Sequence, residues 1–334
     1  MAGVSTPAMA AAVANAGALG SLGVGGTDAG GARTMIAAVR AASRRSLNVN
    51  VFCHRPVRPD AALASAWIDR LRPLFDNFGA EPPAALAEIY RSFVEDDDML
   101  AALIETKPKV VSFHFGLPSA QRMAALREAG IVLIGTATNL REAQLLEAAG
   151  VQAVVAQGYE AGGHRGVFDP DAPDDQLGTL ALTRVLVRAL DVPVIAAGGI
   201  MDGAGIAAAL RLGAAAAQLG TAFVGCHESL ADAGYRQALG SPAVHHTVMT
   251  RAISGRPARC LANRFTTLGA GVSDRDIPAY PIAYDAGKRL NAAAKARGEA
   301  GYGAQWAGQG APLCRALPAG ALVAALRAEL KASR

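Results

Sequence analysis

The sequence predicts an α/β fold: a TIM-type (β/α)8 barrel lacking its first strand, with a small, mostly helical cap domain. Three observations predict it. Short apolar runs alternate with stretches of helical spacing at intervals of roughly 20–40 residues, the rhythm of strand–helix–strand units. The runs are β-branched or continuously apolar, as in strands buried on both faces of a parallel sheet. And 334 residues, 51% of them hydrophobic, suffice for one α/β barrel with an added piece, which excludes intrinsic disorder.

In chain order, STPAMAAAVANAG from Ser5 reads as a helix and GALGSLGVG from Gly17 as a strand. Six further strand runs follow: LNVNVF from Leu47, KVVSFHFG from Lys109, IVLIGTA from Ile131, AVVAQG from Ala153, VPVIAAGG from Val192 and AAAQLGTAF from Ala215. Helices between them carry their own punctuation. Asn139 caps a helix that Gly150 stops, Asp202 caps one that Gly213 stops, and SAQRMAALREAG runs to Gly130. Seven strands are one short of a barrel. The chain therefore reads as beginning one strand late, with Met1-Ala2-Gly3 as the exit loop of a strand supplied by an upstream start; a seven-stranded open sheet is the alternative by count alone. Residues 58–106, with Pro-rich and acidic pieces, read as a helical insertion, and the strand rhythm ends near Gly225. The expected division is residues 1–225 as the barrel and 226–334 as a helical cap and tail.

Composition removes several function classes. The 32 basic and 28 acidic residues leave a net charge of +4 without a Lys/Arg run, so no nucleic-acid partner is expected. No apolar stretch is long and unbroken enough for a membrane span, and the apolar start lacks a basic n-region, its first positive side chain being Arg33. Cys53, Cys226, Cys260 and Cys314 lie far apart and form neither a CxxC nor a Cys/His cluster, so no metal is expected and a cytoplasmic location is.

Chemistry concentrates at strand ends. Gly198 and Gly199 end one strand, with a helix beginning just after at about Gly203, and Gln218, Leu219, Gly220 and Thr221 end the next strand. In eight-stranded barrels phosphate commonly rests on the last two such loops, held by free amides and a helix N-terminus. No dinucleotide fingerprint or P-loop accompanies them, which points to a phosphorylated sugar or a mononucleotide such as FMN. The run QGYEAGGHRG places Gln157 at a strand tip and His164 on a glycine-loosened loop, suited to proton transfer or to holding a developing anion. His114, at the end of SFHFG, is a weaker candidate for the same pocket, and His54 weaker still. Asn50, polar at the end of a buried strand, needs a partner that either neighbouring loop amides or a flavin edge satisfies.

Taken together, MAGVSTPAMAAAVANAGALGSLG, NVNVF, SFHFGLP, QGYEAGGHRG, PVIAAGGI, QLGTAF, SGRPAR and the late WAGQG from Trp306 resemble the nitronate monooxygenases, FMN-dependent barrels formerly called 2-nitropropane dioxygenases, nearly end to end. The resemblance implies that Asn50, Gln157, Gly162, Gly199, Gln218, Leu219, Gly220 and Thr221 contact FMN. It also implies that Met1, Ala2 and Gly3 pass beside the flavin and that His164 is the active-site histidine. It implies oxidation of an alkyl nitronate such as propionate 3-nitronate by dioxygen to a carbonyl compound and nitrite, through a flavin semiquinone and without NAD(P)H. A homodimer stays open. So do two other functions: an NAD(P)H-dependent enoyl-acyl-carrier-protein or quinone reductase sharing the EAGGH loop, and a flavin-binding protein without catalysis.

Overall fold

A computed structural model of the chain describes residues 1–333. In order, the elements are α1 (Pro7–Asn15), β1 (Gly20–Gly23), α2 (Ala29–Ala42), β2 (Leu47–Phe52), α3 (Ala61–Asn77), α4 (Asp97–Thr106), β3 (Val110–His114), α5 (Ala120–Glu128), β4 (Val132–Ala137), α6 (Leu140–Ala148) and β5 (Ala153–Gln157). Next come β6 (Gly163–His164), α7 (Thr179–Ala189), β7 (Val194–Ala197), α8 (Gly203–Arg211) and β8 (Ala216–Gln218). The remainder holds α9 (Ala233–Leu239), β9 (Thr247–Thr250), β10 (Ala258–Leu261), α10 (Arg264–Gly269), α11 (Ile282–Ala296) and α12 (Ala319–Ala332).

All seven expected strands form. They pair in parallel in the order β1-β2-β3-β4-β5-β7-β8 and curl as a TIM-type half-barrel inside the helices. Helix ends follow the sequence punctuation: Asn139 Oδ1 accepts from Glu142 N and Asp202 Oδ1 from Gly205 N, while Gly150 and Gly213 stop their helices at φ +83° and +98°.

Successive strand residues face opposite sides of the sheet. One set, including Val49, Val51, Val111, Phe113, Leu133, Val154 and Val194, packs outward against Ile36, Val39, Leu103, Leu126, Leu146 and Leu186 of the helices. The other set lines the lumen, where Val110, Ile134, Val155 and Ala197 form a separate apolar floor. The same inward periodicity, carried toward the C-terminal ends, delivers Asn50, Ser112, His114, Thr136 and Gln157 to the mouth.

Two helices pack across the expected boundary between 1–225 and 226–334. Residues 58–106 split: α3 packs Trp67, Leu71 and Phe75 onto Phe265, Ile282 and Leu290 of the cap, whereas α4 lies beside α2 and α5 in the outer ring. Helix α12 leaves the cap and seats Leu322, Val323 and Leu326 against Met9 and Phe223, between α1 and α8. An apolar stripe goes where matching apolar surface lies, and here that is the flank of the barrel. The cap is also not purely helical, because β9 and β10 pair antiparallel and β6 joins them as the third strand.

Candidate active site

The mouth of the barrel has two walls, with His164 between them. The barrel-side wall is polar and tied together. Asn48 Nδ2 donates to Ser112 Oγ at 3.0 Å, and Ser112 Oγ donates to Asn50 Oδ1 at 2.9 Å. Asn50 thus has a side-chain partner, with its Nδ2 left as the free end. Gln157 is held at both ends: its Oε1 accepts from Gly166 N at 2.6 Å and its Nε2 donates to the His164 carbonyl at 3.0 Å. The same carbonyl lies 3.2 Å from His114 Nε2, and since a carbonyl only accepts, His114 carries its proton there. Arg165 locks the next residue, donating to both Asp174 oxygens at 2.7 and 2.9 Å and to the Gln157 carbonyl at 2.5 Å.

His164 was expected on a loosened loop. It sits instead on β6, opposite Ala258 of β10, so its backbone is pinned by the cap sheet. Around its ring stands the second wall, which is aromatic: centroids lie 5.1 Å away for Trp306, 5.2 Å for Tyr280, 5.7 Å for Phe115 and 6.1 Å for Tyr284. Phe115 holds φ +75°, a left-handed conformation that a bulky side chain adopts only where its surroundings impose it. Lys288 Nζ lies over the Tyr90 and Tyr284 rings at 4.8 and 5.6 Å, bringing a cation to this wall.

The glycine tips lie nearby and serve different purposes. A Cβ on Gly162 would fall 2.4 Å from Gly308 N, and one on Gly310 2.8 Å from the Gly199 carbonyl oxygen. The β5–β6 loop, the β7 tip and the WAGQG segment therefore touch backbone to backbone, which explains why all three are rich in glycine. Gly220 is different. Its φ of −113° suits any residue, and an added Cβ would meet only the Met1 side chain, Sδ at 3.8 Å and Cγ at 4.0 Å. What glycine leaves there is open space. Among the described residues no acceptor takes the amides of Gly199, Gly220 or Thr221, and Thr221 Oγ1 accepts from Gly308 N at 3.0 Å while keeping its own proton free. Unpaired amides beside a space that a Cβ would fill fit the phosphate of a mononucleotide. The start of α8 does not join them, because the Glu329 carboxylate takes Gly203 N at 2.9 Å and Asp202 takes Gly205 N. The segment Met1-Ala2-Gly3 reaches the same mouth, with Ala2 beside Gly23 at the end of β1 and Met1 beside Gly220.

Burial sets the charge state of the histidines. It lowers His114 to about 3, against the opposing hydrogen bond to the His164 carbonyl, and His54 to about 4. His164 keeps part of its surface open to the mouth, yet surrounding protein holds it well below the ordinary imidazole range, helped by His114, Arg256 and His54. All three rings are neutral at neutral pH. A neutral imidazole in a half-open mouth has a nitrogen lone pair able to take a proton.

Sequence reading missed Phe115, Tyr280, Tyr284, Lys288 and the ring of Trp306 as a wall. Tyr284 and Lys288 fall four apart on one face of α11 and Tyr280 just precedes that helix, but nothing local says what they cover.

Comparison with known proteins follows the same lines. Residues 1–329 match the family model described as nitronate monooxygenase. The chain is 63% identical over 333 residues to the nitronate monooxygenase of Paraburkholderia phytofirmans, covering 100% of this chain and 91% of that one. With the nitronate monooxygenase of Pseudomonas aeruginosa it shares 54% identity over 331 residues, covering 99% and 94%. Among solved structures, nitroalkane oxidase from Streptomyces ansochromogenes superposes with a TM-score of 0.91 at 42% identity, covering 99% of this chain and 94% of that one. FabK from Thermotoga maritima superposes with a TM-score of 0.73 at 29% identity, covering 100% and 91%. Fold, length and family model agree, and this chain belongs to the nitronate monooxygenase family of oxidoreductases.

Proposed function

We propose that the protein is an FMN-dependent nitronate monooxygenase that oxidises alkyl nitronates of the propionate 3-nitronate type with dioxygen, giving a carbonyl compound and nitrite. The observation that carries this reading is the meeting of unpaired glycine-tip amides with a neutral His164 under an aromatic wall. Gly199, Gly220 and Thr221 hold the phosphate, while Asn50 Nδ2 and Gln157 face the ring system. FMN bound there supplies the electron acceptor that nitronate oxidation needs. Lys288 and the Tyr280 hydroxyl offer a cation and a donor to the anionic nitro group, and His164 removes the α-proton when the substrate arrives as a neutral nitroalkane. His114, held by the His164 carbonyl, lines the substrate end. The barrel binds cofactor, and the cap with α3 closes over substrate.

All four cysteines are free and three are buried, which suits a reducing compartment, and we place the protein in the cytoplasm. No helix among the described residues is long and apolar enough to cross a membrane. The test is an absorbance spectrum of purified protein, followed by anaerobic addition of propionate 3-nitronate and, separately, of NADH. Expected are a flavin spectrum, bleaching by the nitronate and little change with NADH. Rapid bleaching by NADH alone would replace this reading with the reductase one.

A further inference from the structure

The segment Ser254–Arg259 has no part in the reading above, yet it lies against His164 from the cap side. His164 Nε2 is 2.9 Å from Ser254 Oγ, which is itself 3.3 Å from the Arg256 carbonyl oxygen. A hydroxyl has one proton to give and a carbonyl only accepts. With that proton on the Arg256 carbonyl, Ser254 accepts from His164, so Nε2 carries the imidazole hydrogen and Nδ1 the lone pair. Gly255 holds the turn: its φ is +87°, and a Cβ there would fall 2.3 Å from the Pro278 carbonyl oxygen.

Arg256 is 3% exposed, and its guanidinium lies 4.1 Å from the centroid of the Phe115 ring, which in turn meets the His164 ring edge-on. It donates to the Val167 carbonyl, while its Nε has no partner and no carboxylate among the described residues forms an ion pair with it. Its neighbour Arg259 braces the loop of His164 by donating to the Tyr159 carbonyl. A buried guanidinium without a counter-ion is costly to a fold, and this one is kept beside three imidazoles.

We propose that Ser254 and Arg256 are positioning residues that fix the proton of His164: Ser254 confines it to Nε2, and the Arg256 charge behind Phe115 keeps the ring from taking a second one. The proposal rests on His164 as the reacting base and names Nδ1 as the reacting nitrogen. The other groups facing the ring are His114 from β3, His54 after β2, Tyr280 and Tyr284 at α11, and Lys288, whose charge lies over Tyr284. None is a carboxylate that would favour the imidazolium, and the adjacent Arg165 is paired with Asp174. Burial, His114 and Arg256 all act to hold His164 neutral.

The experiment is nitrogen NMR of imidazole-labelled holoprotein, the His164 signals being those lost in His164→Asn, together with pH–rate profiles on a neutral nitroalkane. The wild type should show hydrogen on Nε2 and His164 still neutral well below the ordinary imidazole range. Arg256→Met should raise the His164 titration by about one pH unit or more and give the rate profile a new acid limb. Arg256→Lys, which keeps the charge, should titrate as the wild type does, and Arg256→Gln serves where the methionine variant does not fold. Ser254→Ala should spread the hydrogen over both nitrogens without moving the titration. An Arg256→Met protein that titrates like the wild type, or a Ser254→Ala protein that keeps hydrogen on Nε2, would overturn the proposal. These signals do not depend on turnover. The expected NMR pattern in a protein inert toward nitronates would remove the catalytic reading and leave the proton control standing.

Discussion

The two walls of the mouth are built on opposite terms. On the barrel side, Asn50, Ser112, His114 and Gln157 arrive by strand periodicity and are bonded to one another or to the His164 loop. On the cap side, Tyr280, Tyr284 and Trp306 come from distant parts of the chain and meet Phe115 at the exit of β3, and the Tyr280 hydroxyl is buried without a partner. A wall whose side chains hold one another is rigid and keeps its few free donors, Asn50 Nδ2 and the tip amides, in fixed places, which suits a resident cofactor. A wall with spare donors has bonds left to make, which suits a substrate that comes and goes. His164 belongs to both, its carbonyl held by the barrel and its ring by the cap.

Replacing that shared residue should give the largest functional effect. His164→Asn keeps the carbonyl that Gln157 and His114 use, so flavin content should hold, while turnover on a neutral nitroalkane should fall by roughly 10²–10⁴. Oxygen uptake on a preformed nitronate, which has already lost its proton, should fall much less. Equal losses on both substrates would merge the two walls into one function.

The next effect concerns the floor under His164. Arg165, almost wholly buried, joins Asp174 to the Gln157 carbonyl, and removing one partner of a buried pair leaves the other uncompensated. Arg165→Met should cost about 1–3 kcal/mol by denaturant midpoint, since the Asp174 carboxylate left behind is partly open to water. Burial pushes the Asp174 carboxyl up, but its hydrogen bonds from Arg165 and Gln176 outweigh this and leave it below the usual carboxylate range. A carboxyl lowered by folding stabilises the protein above its unfolded value of about 3.9, and that contribution is lost as pH falls through the folded value. The gap in urea midpoint between wild type and Asp174→Asn should therefore be wide at neutral pH and narrow in acid below about pH 4. A gap independent of pH would mean that the carboxylate charge contributes nothing to the barrel wall.

How much of this the sequence disclosed follows the same division. All seven parallel strands and the caps Asn139 and Asp202 were legible, because apolar runs and period-3.6 patterns are local. His164 was legible by its glycine-flanked context, though not the strand that pins it, since β6 needs a partner some 90 residues away. The α8 N-terminus looked free because nothing in the sequence shows Glu329 returning from the far end to occupy it. The cap wall stayed hidden for the same reason, and so did the return of α12 to the barrel: both are tertiary pairings of amphipathic faces, and periodicity names the face without naming its mate.

The smallest effects divide the walls most cleanly. At Gly220 the backbone is ordinary and the neighbouring space open, so Gly220→Ala should leave the stability of the flavin-free protein within about 0.5 kcal/mol. If the space holds the phosphate, the methyl group crowds it, and FMN affinity should fall about tenfold, about 1.4 kcal/mol. Tyr280→Phe is its counterpart on the cap. It removes a buried hydroxyl that has no protein acceptor, so stability should stay level or rise by up to about 1 kcal/mol. Flavin titration should be unchanged and KM for the nitronate should rise severalfold. Each variant is measured by both flavin titration and steady-state kinetics, so each acts as the control for the other. Exchange of the two outcomes, with Tyr280→Phe losing flavin and Gly220→Ala raising KM alone, would reverse the roles of cap and barrel.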